Sequence, residues 1–125
     1  MKTASNDKYN GVSEVVEFIK KTYRKNYSVD YYAALCSLQK CYFITLFKSY
    51  TGVSPQRFRT NIRIEKAKDL LENTNMKNEA IAKAIGYHNP LYFSRIFKKY
   101  TGVSPQKYRK YDDKPWFLQS RLFSY

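Results

Sequence analysis

Apolar residues recur along this chain at i, i+3, i+4 and i+7, the spacing that gathers side chains on one face of an α-helix. Val12, Val15, Val16, Ile19 and Tyr23 predict a first helix over 12–25. Ser28 is an N-cap for a short helix ending near Cys36. A tight turn at 37–39 then leads into a helix over 40–50, closed by Thr51-Gly52, with Gly52 as its left-handed final residue. Ser54-Pro55 is a cap followed by proline at the first helical position. It opens a long helix to residue 72 with Phe58, Ile62, Ala67, Leu70 and Leu71 on its apolar side. The plan then recurs: a short helix over 78–85, a turn at Gly86, and a helix over 90–100 capped by Asn89-Pro90 and ended by Gly102. Ser104-Pro105 starts a last short helix, and Asp112-Asp113-Lys114-Pro115 breaks into a tail. No segment alternates as a strand would, so the predicted class is all-α.

The recurrence is a true internal repeat. Residues 42–59 and 92–109 align at an offset of 50, with twelve of 18 positions identical. Phe43, Leu46, Phe47 and Tyr50 form one helical stripe, and Phe93, Ile96, Phe97 and Tyr100 form its copy. Both stripes are expected to be core. Positions 44, 45 and 48, with 94, 95 and 98, are placed on the opposite face. There Ile44/Ser94 and Thr45/Arg95 differ, while Lys48/Lys98 is kept. A constant scaffold with an altered outer face suits two reading heads for different sequences.

Charge sharpens this picture. The 125 residues hold 23 Lys+Arg against 10 Asp+Glu, a net charge of +13. Twelve of the basic residues lie in two acid-free stretches, 31–64 and 80–111, that contain the repeats. The excess is therefore segregated, as expected for a polyanionic partner. No run of 18 apolar residues exists for a transmembrane helix, and the start MKTASNDKYNG lacks the apolar stretch of a signal peptide, so a cytoplasmic protein is expected. Cys36 and Cys41 are expected to be free thiols, and with His88 as the single histidine no metal cluster can be assembled. No cofactor is expected. The carboxylates are spaced for solvated ion pairs with lysines and no nucleophile–base pair stands out, which excludes an enzyme. The apolar stripes are needed for cores, which excludes a membrane-surface helix. A non-specific architectural nucleic-acid binder is the closest rival, since charge alone supplies that affinity.

A short helix, a tight turn and a helix with a basic outer face make the helix-turn-helix pattern, here twice. Residues 28–110 resemble the DNA-binding domain of the AraC/XylS family of bacterial transcription regulators. The first unit carries Ala33…Phe47-Lys48 and Gly52-Val53-Ser54-Pro55, and the connecting helix Arg63-Ile64-Glu65-Lys66-Ala67…Leu70-Leu71. The second carries Ile81-Ala82…Gly86-Tyr87…Tyr92-Phe93-Ser94-Arg95-Ile96-Phe97-Lys98 and Gly102-Val103-Ser104-Pro105…Tyr108-Arg109, with one extra residue in its turn. The resemblance implies two three-helix, homeodomain-like helix-turn-helix units joined by a long linker helix. Residues 1–11 form an N-terminal extension, 12–54 the first unit, 55–73 the linker, 74–110 the second unit and 111–125 a C-terminal tail.

The resemblance also implies that two recognition helices enter successive major-groove segments of double-stranded DNA, about 34 Å apart. Base-facing positions are then Cys41, Ile44 and Thr45 in the first helix, and Pro90, Leu91, Ser94 and Arg95 in the second. Arg95 can form two hydrogen bonds to guanine and is expected to discriminate most. Lys40, Lys48 and Lys98 suit phosphates, and Ser54 and Ser104 could touch phosphate from their helix N-termini. Three departures stand out: Ser37 where glycine is usual, Gln39 where a serine-like cap is usual, and Asn78, for which a capping role is expected. The tail's Trp116, Phe117, Leu118, Leu122 and Phe123 could dock on the helical body or a partner. The family commonly adds an N-terminal effector-binding, dimerising or receiver domain, and an activator would contact RNA polymerase. The residues before position 12 leave no room for such a domain, so the chain is expected to be free-standing or an excised piece.

Overall fold

The computed structural model describes residues 8–112. Helices follow in the order α1 (Asn10–Thr22), α2 (Val29–Leu35), α3 (Lys40–Thr51), α4 (Pro55–Asn73), α5 (Asn78–Ile85), α6 (Pro90–Thr101) and α7 (Pro105–Asp112). Among the described residues there is no strand, and the all-α class stands. The chain divides into two compact units, 1–62 and 63–125, so the division falls inside α4. The sequence partition treats 55–73 as a separate connector. Here the start of α4 completes the first unit, with Phe58 and Ile62 against its core.

In the first unit α1 packs on α2 and α3, and α2 packs on α3. Val12, Val15, Val16, Ile19, Tyr32, Ala33, Phe43, Leu46 and Phe47 are the buried centre. The first helix begins two residues earlier than the periodicity predicts, at Asn10, and ends at Thr22, leaving Tyr23 beyond it and half-buried. Residues 10 and 11, assigned to an extension by sequence, are thus helical. A Cβ on Gly11 would stand 2.6 Å from the Cβ of Cys36, the residue that ends α2, so α1 approaches this point too closely for any side chain.

In the second unit α5 packs on α6 and α6 on α7. Its buried apolar residues are Ile64, Ala67, Leu71, Ile81, Ala82, Ile85, Phe93 and Phe97. The repeat is visible as one aromatic ladder built twice. Phe43 and Phe47 have ring centroids 5.7 Å apart, and Phe47 meets Phe58 edge-on at 5.5 Å. Phe93 and Phe97 lie 5.8 Å apart, and Phe97 meets Tyr108 edge-on at 5.4 Å. Such pairs add about 0.5–1.5 kcal/mol each beyond the area they bury.

The loop after α3 is duplicated after α6. Thr51 Oγ1 donates to the carbonyls of Phe47 and Val53, both at 2.9 Å, and Thr101 Oγ1 does the same to Phe97 (2.8 Å) and Val103 (2.9 Å). Ser54 Oγ accepts from the Arg57 amide and Ser104 Oγ from the Lys107 amide, each at 3.2 Å. These contacts account for why the TGVSP segment is written twice in the sequence.

The second stripe is core only in part, since Ile96 and Tyr100 are half-buried, and two other expectations fail outright. Tyr50, placed in the core stripe, is 48% exposed. Its ring packs beside that of Tyr9, 5.4 Å away, and is not among the buried core residues. Asn78 does not cap α5: it is the first helical residue, the cap position is Lys77, and no side chain caps there.

Candidate nucleic-acid interface

Both α3 and α6 are held by their buried faces, which fixes what they present. In α3 the buried set is Phe43, Leu46 and Phe47, and in α6 it is Phe93 and Phe97. On α3, Lys40, Cys41, Thr45 and Lys48 are exposed. Ile44 is not fully outward as the helical wheel predicts. It is half-buried and packs against the first unit's core, so only part of its side chain faces out. Thr45 Oγ1 donates to the Cys41 carbonyl at 3.0 Å, which occupies its proton within the helix.

On α6, Pro90, Leu91, Arg95 and Lys98 are exposed, Leu91 at 58%, while Ser94 is half-buried. The predicted second set is therefore gathered on one outward face, with Ser94 at its margin. Ser54 and Ser104 are half-buried and engaged as caps, so their oxygens are committed to backbone amides. Their hydroxyl protons remain able to donate.

The approaches to the two helices differ. Ser28 Oγ accepts from the Tyr31 amide at 3.1 Å and starts α2, as the sequence predicts. The turn after α2 contains Ser37 at φ +57, the one non-glycine residue with positive φ among those described. Gln39 then stands at the cap of α3 and makes no side-chain capping bond. In the second unit Gly86 takes φ +110, and Asn89 Oδ1 accepts from the amides of Leu91 (2.8 Å) and Tyr92 (3.3 Å).

Not all the segregated positive charge faces outward, which the charge map alone could not reveal. Arg59 Nη1 donates to the Tyr27 carbonyl at 2.8 Å and to the Tyr32 hydroxyl at 3.0 Å. It pins the loop that leads into α2. Its repeat partner Arg109 donates to the carbonyls of Leu71 (3.3 Å) and Thr74 (3.5 Å), pinning the end of α4. Arg63 is 2% exposed, its guanidinium 4.8 Å over the Tyr87 ring. Three of the twelve arginines and lysines in the acid-free stretches are therefore scaffold. The signal available in sequence was that Arg59 and Arg109 repeat directly after an aromatic residue, Phe58 or Tyr108, that joins the ladder.

Both cysteines are free, Cys41 exposed and Cys36 half-buried. Burial chiefly raises the Cys36 thiol above its ordinary pKa, with Glu14 adding to the shift, so this thiol favours its neutral form. No group of three or more His, Cys, Asp or Glu among the described residues could hold a metal ion. No described helix is long and apolar enough to cross a membrane. The aromatic tail residues Trp116, Phe117, Leu118, Leu122 and Phe123 lie outside the described residues.

A family model described as a helix-turn-helix domain matches residues 32–111. The chain is 32% identical over 80 residues to the lactose operon transcription activator of Staphylococcus xylosus, covering 64% of this chain but 29% of that one. The C-terminal domain of AraT, a response regulator from Geobacillus stearothermophilus, superposes with a TM-score of 0.77 at 32% identity, over 81% of this chain and 84% of that one. The DNA-binding domain of AdpA, a global transcriptional factor solved with a target DNA, superposes with a TM-score of 0.76 at 26% identity, over 80% of this chain and 90% of that one. The duplicated ladder, the duplicated TGVSP loop and these matches agree: the chain belongs to the AraC-type helix-turn-helix family.

Proposed function

We propose that this chain binds double-stranded DNA in a sequence-specific manner, as the DNA-binding part of a bacterial transcription regulator, with α3 and α6 in successive major-groove segments. The observation that carries this reading is the pairing of a repeated scaffold with unlike outer faces: Cys41 and Thr45 on one helix, Leu91 and Arg95 on the other. A purely electrostatic binder has no use for that difference. Arg95, exposed and on the second helix, is assigned to guanine, and Leu91 and the outer part of Ile44 to thymine methyls. Cys41, Thr45, Pro90 and Ser94 border the same base edges. Lys40, Lys48, Lys98, Ser54 and Ser104 are assigned to phosphates, which set register and affinity.

The activity is binding and not catalysis. The proposed location is the cytoplasm, at the nucleoid, where the DNA is. Because the chain spans 29% of the length of the lactose operon activator, contact with RNA polymerase and coupling to an effector or receiver domain are assigned to the wider protein. Selection of bound sites from random duplexes tests the core of the proposal. It should return one preferred site of about 20 base pairs, and footprinting should show two protected groove segments about one helical turn apart. Equal affinity for every duplex at fixed salt would instead make the protein an architectural binder. A single protected segment would leave one head without a function. Lys48→Ala should weaken binding to all duplexes alike and flatten the log–log salt dependence by about one unit.

A further inference from the structure

Residues identical in the two copies of the repeat sort by exposure, with Tyr50/Tyr100 alone differing between copies, exposed in the first and half-buried in the second. Most are buried or half-buried and are explained by the ladder, the threonine loop or the arginine anchors. Four pairs are exposed in both copies: Tyr42/Tyr92, Lys48/Lys98, Gly52/Gly102 and Gln56/Gln106. Gly52 and Gly102 are explained by their left-handed backbone, φ +89 and +88. The glutamines stand on the following helices, α4 and α7. On α3 and α6 themselves, the lysines already have a sequence-independent role. The tyrosines have none.

Tyr42 and Tyr92 are 49% and 52% exposed, large rings kept in water in both copies. Each is the third residue of its helix, counted from Lys40 and from Pro90. At about 100° per residue, Tyr42 stands on the flank of the reading face, one position after Cys41 and one turn before Thr45. Tyr92 stands likewise beside Leu91 and Arg95. Tyr92 is braced by the Tyr87 ring, 5.5 Å away and edge-on, so its hydroxyl is carried on a supported arm. A helix in the major groove turns its central face to base edges and its flanks to the sugar-phosphate walls. A residue that reads bases should differ between two heads that read different bases, as positions 45 and 95 do. A residue that meets the backbone should not.

We infer that Tyr42 and Tyr92 are paired backbone-contacting residues, each donating its hydroxyl to a DNA phosphate at the wall of its groove and setting the depth of its helix without selecting a base. The inference rests on the DNA-binding reading above and adds to it two uncharged register contacts. Phosphate oxygens accept strongly from hydroxyls, and such a bond to a charged acceptor changes affinity by about tenfold.

The test uses the full chain with Tyr42→Phe, Tyr92→Phe and the double variant, each keeping the ring. The probes are a 20-base-pair duplex obtained by selection, its single-base variants, and an unrelated duplex of the same length. Each single substitution should weaken binding to all duplexes by about tenfold and the double by about a hundredfold. The ranking of single-base variants and the salt slope should stay unchanged, because no charge is removed. Unchanged affinity in the double variant would overturn the inference, as would a loss confined to one base position. If the unsubstituted chain binds none of the duplexes, the DNA-binding reading itself fails, which is a separate and recognisable outcome. Because both residues are about half exposed and the substitutions keep the ring, thermal unfolding of the variants should match the parent, and a shared loss of stability and binding would assign the tyrosines to the scaffold instead.

Discussion

In the first unit the chain leaves α2 through Ser37 at φ +57 and enters α3 at Gln39, whose side chain caps nothing. In the second it leaves α5 through Gly86 at φ +110 and enters α6 at Asn89, whose Oδ1 holds two amides of the first turn. Both turns close the preceding helix alike, with Leu38 N bonded to the Ala33 carbonyl (3.0 Å) and Tyr87 N to that of Ala82 (2.9 Å). The second then spends one more residue, His88, before its cap. The same architecture is thus reached with strain and no cap on one side, and with glycine and a cap on the other. The first turn of α6, which presents Pro90 and Leu91, is fixed by local chemistry. The first turn of α3, which presents Lys40 and Cys41, depends on Phe43, Leu46 and Phe47 seating the helix from below.

That difference has meaning only if the two units respond separately, and the largest expected effect tests this. Phe47→Ala and Phe97→Ala each remove an aromatic from the centre of one ladder and should cost about 3–5 kcal/mol. Hydrogen exchange read helix by helix should show the lost protection within α1–α3 for Phe47→Ala and within α5–α7 for Phe97→Ala. Equal loss in both units from either substitution would make them one cooperative body, and the contrast between the turns would then lose its local meaning.

The next effect concerns what each helix reads. Arg95→Ala should relax selection at one position of the bound site by about 1–3 kcal/mol. Thr45→Ala, its repeat counterpart, should change selection by well under that amount, because the Thr45 hydroxyl already donates to the Cys41 carbonyl at 3.0 Å. Binding to every single-base variant of a selected duplex measures both. A Thr45 effect equal to that of Arg95 would reverse the assignment of the second helix as the main reader.

Caps, breakers and aromatic periodicity were legible in sequence because they act locally: Ser28, Gly52, Ser54-Pro55, Gly86 and Asn89-Pro90 all do in the structure what their chemistry predicts. Asn78 is a local signal that misleads, since Lys77 takes the cap position; the other failures concern how distant segments pack. Tyr50 fits the core stripe by spacing, yet it is 48% exposed and pairs with Tyr9 at the start of α1. Ile44 sits one residue from Phe43, and the neighbouring elements wrap far enough round to half-bury it. Arg59, Arg63 and Arg109 count as ligand-facing charge in any one-dimensional tally, but Arg59 and Arg109 bond carbonyls at least 32 residues away or more, and Arg63 lies over the ring of Tyr87. Of the base-facing set, the positions come from the resemblance; their exposure comes from the fold.

The cap itself gives a smaller, symmetrical test. Asn89→Ala removes the acceptor for two amides of α6 and should cost about 1 kcal/mol, within a range of roughly 0.5–2. Gln39 already has the extended backbone a cap requires, φ −67 and ψ 148, so Gln39→Asn should recover a similar amount in the first unit. Urea unfolding measures both. A loss at position 89 without a gain at position 39 would mean that the amides of α3 are satisfied by water at no cost, and that its bare start is not a weakness.

The smallest effect is at the turn. Ser37 holds a left-handed conformation that costs a residue with a Cβ about 1–2 kcal/mol, whereas glycine adopts it freely. Glycine also gains freedom in the unfolded chain, which offsets part of that relief. The net expectation for Ser37→Gly is a stabilisation of about 0.5–1 kcal/mol, or a rise in Tm of roughly 2–5 °C. The reverse change, Gly86→Ser, should lower stability by a comparable amount, since Gly86 at φ +110 lies even further from the region side chains tolerate. If Ser37→Gly leaves Tm unchanged while Gly86→Ser lowers it, the serine at 37 is compensated by its surroundings, and the bare cap at Gln39 alone distinguishes the two entrances.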